Sequence, residues 1–238
     1  MKKLLTILLA VFVVFGLTAC GSKVDPNAKS EGTMTYAQYA EASEDYADVV
    51  VEGFITCASY SQAYGNINLF LQDGSGAYYV YRMPCTDDDA AKLTVGTKIK
   101  VTGQKSAWAG EPEIAEGTGT YEVLEGTWTP EALDVTALLA NTDELHKHVN
   151  EKASFKGLTV VGTPRYNWDG SGEEGSDVYF DVTDGTNQYT FLVESDEYGV
   201  GTDVYTAAQN LADGDVVNME GLLYWYEGVQ PHISSITK

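Results

Sequence analysis

The sequence predicts a mainly β protein in which two similar five-stranded barrels follow one another along the chain. Three observations carry this prediction: an Asp-Gly hairpin signal that occurs twice, matching segments on both sides of each occurrence, and a glycine inside the first strand of each copy. A chain of 238 residues is long enough for two domains of ordinary size.

The hairpin signal is LFLQDGSGAYYVY from Leu69 to Tyr81, and it returns as FDVTDGTNQYTF from Phe180 to Phe191. Aligning the two sets Asp73-Gly74 over Asp184-Gly185, with alternating apolar residues on either side. Asp-Gly between two alternating runs is typical of a tight hairpin. The alternation predicts which side chains of the first copy face the barrel interior: Ile67, Leu69, Leu71, Tyr78 and Val80.

The match extends beyond the hairpin in both directions. VVVEGFIT from Val49 matches ASFKGLTV from Ala153, so that Gly53 and Gly157 lie inside the first strands, where a strongly bent strand needs glycine. Further matches join LTVGTKIKVTG (93–103) to LADGDVVNMEG (211–221), and WAGEPEI (108–114) to YEGVQPHI (226–233). The second copy therefore has longer loops but keeps its strands, which indicates duplication of one unit.

Each copy has one strand before a variable loop, then a hairpin, a short crossing and a second hairpin. Five such strands describe a small Greek-key barrel of the OB-fold type. An immunoglobulin-like sandwich, the alternative, requires about two more strands per copy. We expect domains over 34–126, with a helical lead at 36–46, and over 152–238, joined by a helical connector at 127–151.

Residues 1–19 have the basic start and short apolar core of a secretory signal. The following LTAC resembles the bacterial lipobox, and the resemblance implies that Cys20 is diacylated and becomes the mature N-terminus. The alternative is an ordinary signal peptide with a chance cysteine. Residues 20–33 would form a flexible tether, and the protein would be lipid-anchored on the extracytoplasmic face of the cell membrane.

The chain is strongly acidic. Its formal charge is −21, and loss of Lys2 and Lys3 with the signal would make it −23. Because nucleic-acid affinity comes mostly from Lys and Arg, a nucleic-acid partner is not expected, although single-stranded nucleic-acid binding remains the alternative function for an OB-fold. That alternative would need a basic stripe, for which Lys98, Lys100 and Lys105 form the only cluster.

Several stretches together resemble an uncharacterised family of bacterial lipoproteins with tandem OB-like domains. They are TYAQY, VVVEG, DGSGAYYVYRM, VGTKIKVTG, ASFKGLTV and LLYWYEGVQPHI, which span nearly the whole mature chain. The resemblance implies the fold and the surface location, and it implies no reaction.

OB-folds bind along the outer face of strands two and three and the loops beside it. In the first copy this face would carry Phe70, Tyr79 and Tyr81, a platform on which sugar rings, nucleobases or an apolar peptide could stack. The alternative is that these rings pack under the lead helix or against the second barrel. The flanking loops add five more ligand-binding candidates: Tyr60, Tyr64, Trp108, Trp168 and Trp225.

No catalytic motif is found, so the sequence predicts a binding or adaptor protein for a glycan or peptide, or a structural envelope component, rather than an enzyme. His146 and His148 diverge on a helix, and His232 stands alone. No cofactor or metal is expected, because the acidic loop 169–177 lacks the glycine and the final glutamate of a calcium loop. Cys57 and Cys85 end strands at one rim of the barrel and could form a disulfide or remain free thiols.

Overall fold

The computed structural model describes residues 24–238, so the predicted signal and the lipidation site Cys20 lie outside the described residues. The first barrel is a closed ring of five strands. They are β1 (Ala47–Ser61), β2 (Asn66–Gln72), β3 (Ala77–Pro84), β4 (Thr97–Trp108) and β5 (Glu111–Ile114). The ring order is β1-β2-β3-β5-β4, and β4 pairs with β1 to close it. Only the β3–β5 pair in this ring is parallel, as the Greek-key crossing requires.

Two strands follow before the second barrel: β6 (Thr120–Thr127), which pairs with β4, and β7 (Leu133–Asp134). The second ring repeats the first. Its strands are β8 (Lys152–Tyr166), β9 (Val178–Thr183), β10 (Gln188–Val193), β11 (Val216–Leu222) and β12 (His232–Thr237). The ring order is β8-β9-β10-β12-β11, closed by β11 on β8. The prediction of two tandem OB-like barrels is confirmed.

Short helices lie between the strands. They are α1 (Tyr36–Glu41), α2 (Asp87–Ala90), α3 (Thr142–Leu145) and α4 (Asp203–Gln209). α2 and α4 form the predicted crossings after the third strand of each ring. Both begin in the same way, because Thr86 and Thr202 each accept a hydrogen bond from a backbone N–H of the first turn.

The segment between the barrels differs from the predicted helical connector. It contains β7, two 3₁₀ turns at Thr136–Leu138 and His146–His148, and the single turn α3. A long helix does not form because β7 pairs with β8. The apolar residues of the connector instead pack separately into the core of the second barrel. These residues are Val135, Leu139 and Leu145.

The two cores contain the predicted inward residues. Leu69, Leu71 and Val80 are fully buried in the first barrel, as are Phe180 and Phe191 in the second. A side chain on Gly53 would lie 3.0 Å from Leu71 Cβ, so close strand packing requires this glycine.

The end of the predicted flexible tether is bound to the first barrel. Lys29 forms an ion pair with Asp73, and the backbone N–H of Ser30 donates to the buried Glu52 carboxylate at 3.2 Å. Burial raises the pKa of Glu52, but hydrogen bonds from Ser30, Thr33 and Lys98 outweigh it and leave this pKa below its ordinary value. The chain from Lys29 onward therefore belongs to the barrel.

The two barrels also contact each other through buried polar groups. Glu111, with no solvent exposure, accepts hydrogen bonds from Asn150 Nδ2 at 2.6 Å and from the Trp225 backbone N–H at 2.9 Å. The Lys152 backbone N–H donates to Gln72 Oε1 at 2.8 Å. Burial raises the pKa of Glu111 to about 8, against the smaller lowering effect of its hydrogen bonds. The protonated form is thus favoured at this contact near neutral pH.

Candidate binding cleft between the two barrels

A large cleft lies where the outer face of β2 and β3 meets the loops of the second barrel. It has a volume of about 1300 Å³. The first barrel contributes side chains from β1 to β5, and the second contributes the segments after β8, after β10 and between β11 and β12. Ligands of OB-folds bind along the corresponding strands and loops, so this cleft is the candidate site.

Exposed aromatic rings form the rim of the cleft. Tyr64, Trp108 and Trp168 line it with 80%, 64% and 74% of their surface exposed, and Tyr46 and Tyr226 line it as well. Amide and hydroxyl side chains lie among the rings: Ser59, Ser61, Asn66, Asn68 and Gln230. Flat apolar surfaces thus alternate with hydrogen-bonding groups along the rim.

The backbone around the cleft is held in left-handed conformations that side chains other than glycine rarely adopt. Six non-glycine residues have such positive φ angles in the described chain, and three of them line the cleft: Tyr46, Arg82 and Glu227. Two more, Ala109 and Asn167, adjoin the rim residues Trp108 and Trp168. Residues in this region concentrate at functional sites, where the surrounding structure holds them.

At the floor of the cleft, the predicted aromatic platform of Phe70, Tyr79 and Tyr81 is much less exposed than expected. Phe70 and Tyr79 point out of the first barrel as predicted, but they are 1% and 5% exposed. Leu222 packs against them, and the Tyr224 ring lies 5.7 Å from that of Tyr79. The second barrel covers this face, as the alternative interpretation proposed. Only Tyr81, half-buried, and the edge of Tyr79 reach the cleft.

Carboxylates and one histidine complete the floor. His232 Nδ1 lies 2.8 Å from Glu197 Oε1, and both side chains are almost fully buried. Desolvation lowers the pKa of His232, but Glu197, Glu194 and Glu111 outweigh it and raise this pKa to about 9. Burial raises the pKa of Glu194 to about 8 and also raises that of Glu113. The floor therefore favours a protonated imidazole at His232 and a carboxyl group at Glu194 that keeps its proton to an unusually high pH.

The structure brings together five of the eight predicted ligand-binding residues: Tyr64, Tyr79, Tyr81, Trp108 and Trp168. Phe70 lies beneath them. Tyr60 instead donates to Asp87 Oδ1 at 2.6 Å beside α2. Trp225 packs on the second core and against His146, with ring centroids 4.6 Å apart, so it holds the connector rather than lining the cleft.

Cys57 and Cys85 are free thiols buried in different places, so of the two predicted alternatives the disulfide is not formed. Cys57 lies in the contact between the barrels, and Cys85 lies in the first core. In the acidic loop, Asp169 accepts the backbone N–H of Ser171 at 3.0 Å. Between residues 24 and 238 no three acidic, cysteine or histidine side chains are placed to hold a metal ion.

Sequence analysis missed the charged floor, namely Glu194, Glu197 and His232. His232 lies 35 residues from Glu197, so no local spacing connects them. The duplication contained one signal that could have pointed to His232. Aligning β5 with β12 places His232 over Glu113, which is also a cleft residue. In addition, none of the helices in the described part of the chain is both long and apolar enough to cross a bilayer.

No protein-family model and no functionally described protein matches this chain significantly. Among solved structures, one described as "Structural mimicry for functional antagonism" is similar at 13% identity, with 83% of this chain and 98% of that chain covered and a TM-score of 0.37. The Ifi202 HINa domain in complex with 20-bp double-stranded DNA has 14% identity, coverage of 80% and 98%, and a TM-score of 0.35. Asparaginyl-tRNA synthetase from Pyrococcus horikoshii has 17% identity over 37% of this chain, and the match spans only 19% of the synthetase, with a TM-score of 0.28. Matches this distant assign no activity to the chain.

The expectation that a nucleic acid is not a partner is corrected: a nucleic acid is the partner of the similar HIN domain. That domain was solved on double-stranded DNA, and the match extends over 80% of this chain. It was wrong to exclude a nucleic-acid partner on the basis of net charge, because net charge averages over the whole surface and does not describe one cleft. Nucleic acid is therefore a candidate ligand below.

Proposed function

We propose that the protein is a non-catalytic binding protein, lipid-anchored outside the cytoplasm, whose cleft holds a glycan chain. The observation that carries this proposal is the aromatic rim, where the exposed rings of Tyr64, Trp108 and Trp168 surround a cleft lined with amides and hydroxyls. Sugars have apolar ring faces that stack on aromatic side chains, and hydroxyls that bond to amides and carboxylates. Both kinds of group are present together in the cleft.

The size and rigidity of the cleft support an oligomeric ligand. Its volume of about 1300 Å³ exceeds the roughly 300–1,000 Å³ of sites for single small molecules. Closed barrels and the left-handed residues beside Trp108 and Trp168 keep the rings in place before binding, which reduces the entropy lost on association. A peptide is often bound by adding a strand to an open sheet edge, and the edge strands β6 and β7 contribute no residue to the cleft.

The anchor would place this cleft near the membrane. If Cys20 carries the lipid, Lys29, which is bound to the first barrel, is the ninth residue after it. Nine residues reach at most about 30 Å when fully extended. The protein would then sample ligands within the envelope rather than far into the medium.

A second candidate ligand is a single-stranded nucleic acid, and Arg82 is the observation that favours it. Its guanidinium lies 4.9 Å from the Tyr81 ring at the cleft, where it could meet a phosphate while bases stack on the rim tryptophans. Since Arg82 and His232 are the basic side chains among the described lining residues, this binding would have a shallow salt dependence, with a slope of about −0.7 to −1.4 for one or two phosphate contacts.

The test is titration of the mature protein, monitored by tryptophan fluorescence and NMR, with β-1,4-linked pentasaccharides and with a (dT)₁₂ oligonucleotide. For the glycan proposal we expect saturable binding that weakens about tenfold or more in Trp108→Ala and in Trp168→Ala. Val216→Ala, which removes an equally exposed apolar residue outside the cleft, should have no effect.

The outcomes separate the two candidates. Binding of (dT)₁₂ that requires Trp108 and Arg82, with no pentasaccharide binding, would replace the glycan by a nucleic acid. Binding that is unchanged in both tryptophan variants would remove the cleft as the site. Globomycin inhibition of signal processing, together with mass spectrometry of the N-terminal peptide, tests lipidation of Cys20 separately.

A further inference from the structure

The floor of the cleft contains a carboxylate whose hydrogen-bonding capacity the described protein does not use. Glu197 Oε1 pairs with His232 Nδ1 at 2.8 Å, but Glu197 Oε2 is buried and has no partner within the described residues. The side chain is only 6% exposed, and it lines the cleft. A buried acceptor without a donor is costly, so such an atom beside a cleft indicates a missing donor.

Glu194 precedes Glu197 by three residues in the turn that follows β10, and it also lines the cleft. Within residues 24–238 its carboxyl group makes no hydrogen bond or ion pair, although it is near enough to His232 for each to shift the pKa of the other. The second barrel thus supplies two acceptors, one of them wholly unpartnered, at the same end of the cleft.

The charge of the cleft favours a cation. Six carboxylate side chains line it, namely Glu113, Glu116, Glu194, Asp196, Glu197 and Glu227, against the two basic side chains Arg82 and His232. Arg82 lies 3.5 Å from Glu116, and His232 is paired with Glu197. Burial favours the protonated form of Glu194 and raises the pKa of Glu113, so Asp196 and Glu227 supply most of the unpaired negative charge. The cleft therefore keeps a net negative charge that a cationic ligand could neutralise.

Resting on the glycan-binding function above, we propose that Glu194 and Glu197 bind a protonated amino group, so that the ligand is a glycan containing unsubstituted amino sugars. An ammonium group has three donors, which suits Glu197 Oε2, the Glu194 carboxylate and one further acceptor. The Tyr79 and Tyr224 rings also line this part of the cleft, and aromatic faces attract a cation. Neutral hydroxyls or acetamides would leave the charge unmatched.

Binding of an ammonium group would be linked to a proton. Burial raises the pKa of Glu194 to about 8, His232 lowers it, and Asp177, Glu197 and Asp196 raise it further. The free protein therefore holds a proton on Glu194 at pH 7, whereas the bound ammonium favours the ionised carboxylate. At pH 6, where the sugar amine is already charged, binding should release that proton. Affinity should pass through a maximum between pH 6 and pH 8, because ionisation of Glu194 favours binding and deprotonation of the sugar amine opposes it.

The experiment compares three β-1,4-linked pentasaccharides that differ only at the C2 substituent: an amine (glucosamine), an acetamide (N-acetylglucosamine) and a hydroxyl (glucose). We expect the glucosamine pentamer to bind at least tenfold more tightly than the other two at pH 7. Calorimetry in buffers of different ionisation enthalpy should detect proton release for that ligand alone.

Variants then assign the effect to the proposed residues. Glu194→Gln and Glu197→Gln should each reduce the preference for glucosamine to about twofold or less, and Glu194→Gln should abolish proton release. Glu116→Gln is the matched control, because it makes the same substitution at an exposed position in the same cleft. Thermal unfolding of each variant identifies any loss due to folding, which matters most for Glu197 because of its pair with His232.

The outcomes test the glycan-binding function and the amino-sugar inference separately. Equal binding of all three pentasaccharides would overturn the amino-sugar inference and leave the glycan-binding function intact. Absence of binding by any of them would overturn both. If trilysine bound as tightly as the glucosamine pentamer, the site would recognise an amine without the sugar, and the glycan part of the inference would be wrong.

Discussion

The two barrels are copies on the inside and differ on the outside. Leu69 and its counterpart Phe180 are both fully buried in their cores. On the outer face, Phe70 is covered by the second barrel, whereas its counterpart Asp181 is partly exposed and bonds to Arg165 at 3.1 Å. Barrel closure requires the inward alternation in each copy, but the outer face depends on what lies against it.

A second pair of equivalent residues differs although both members are buried, so the interiors are not identical everywhere. Lys105 and Leu223 both lie two residues beyond the matching glycines of β4 and β11, and both are buried. Leu223 joins the second core, whereas Lys105 Nζ donates to three carbonyl oxygens at the end of α1, those of Tyr39, Ala40 and Ala42, at 3.0–3.1 Å. A charged residue is kept there because the lead helix supplies carbonyls that need donors.

The largest expected effect comes from truncating Phe70, on the outer face that the second barrel covers. Phe70→Ala should lower the free energy of unfolding by about 3–5 kcal/mol, because it empties a space between Tyr79 and the second barrel. Asp181→Ala, at the equivalent position, should lower it by less than about 1 kcal/mol. Denaturant unfolding of both variants measures the difference, and equal losses would mean that the contact between the barrels contributes little to stability.

Much of the fold could be predicted because duplication repeats the signals that specify a barrel. The Asp-Gly hairpins, the alternating apolar positions and the glycines in β1 and β8 are local, and each copy supports the other. β6 (Thr120–Thr127) could not be predicted, because a mostly exposed edge strand carries no apolar alternation. The connector was misread as helical, since its apolar residues are placed by the second core rather than by helical periodicity.

The site was less predictable than the fold. Alternation correctly placed Phe70 and Tyr79 on the outer face, but it cannot distinguish a face toward water from a face toward another domain. Trp108 and Trp168 were found because exposed aromatics in flanking loops are a local signal. Glu194 and His232 were not, since only the packing of the two barrels makes one residue relevant to the other.

A smaller effect is expected at the repeated hairpin, where the two copies use the same turn. Asp73 accepts the N–H groups of Ser75 and Gly76 and the Tyr78 hydroxyl, at 2.6, 3.0 and 2.8 Å. Asp184 accepts the equivalent groups of Thr186, Asn187 and Tyr189, at 2.7, 2.7 and 2.8 Å. This shared geometry explains why the Asp-Gly stretch recurs.

Because Asp73 is buried, its replacement should lower the free energy of unfolding more than replacement of Asp184. Asp73→Ala should cost about 2–3 kcal/mol, because Asp73 is 2% exposed and its loss leaves the Tyr78 hydroxyl without a partner and Lys29 without its counter-charge. Asp184→Ala should cost less, since water replaces the lost acceptor. Thermal and denaturant unfolding measure both, with Asp→Asn variants as controls that keep the turn. A larger loss at Asp184 would contradict this account of the buried hairpin.

The smallest expected effect is a pH dependence at the contact between the barrels, where Glu113 of one copy and His232 of the other occupy equivalent positions. The pKa of His232 is raised from 6.5 to about 9, and those of Glu111 and Glu194 are raised from 4.5 to about 8. Each group holds its proton more tightly in the folded state, so stability present at pH 6 is lost as pH rises toward 9. We expect a loss of about 1–2 kcal/mol, because the three groups interact and exchange protons partly as one. Denaturant unfolding at pH 6 and pH 9 measures it, and Glu194→Gln should reduce the slope. A stability that rises over this range would mean that the contact is held by ionised carboxylates, which would also remove the proton release expected on amine binding.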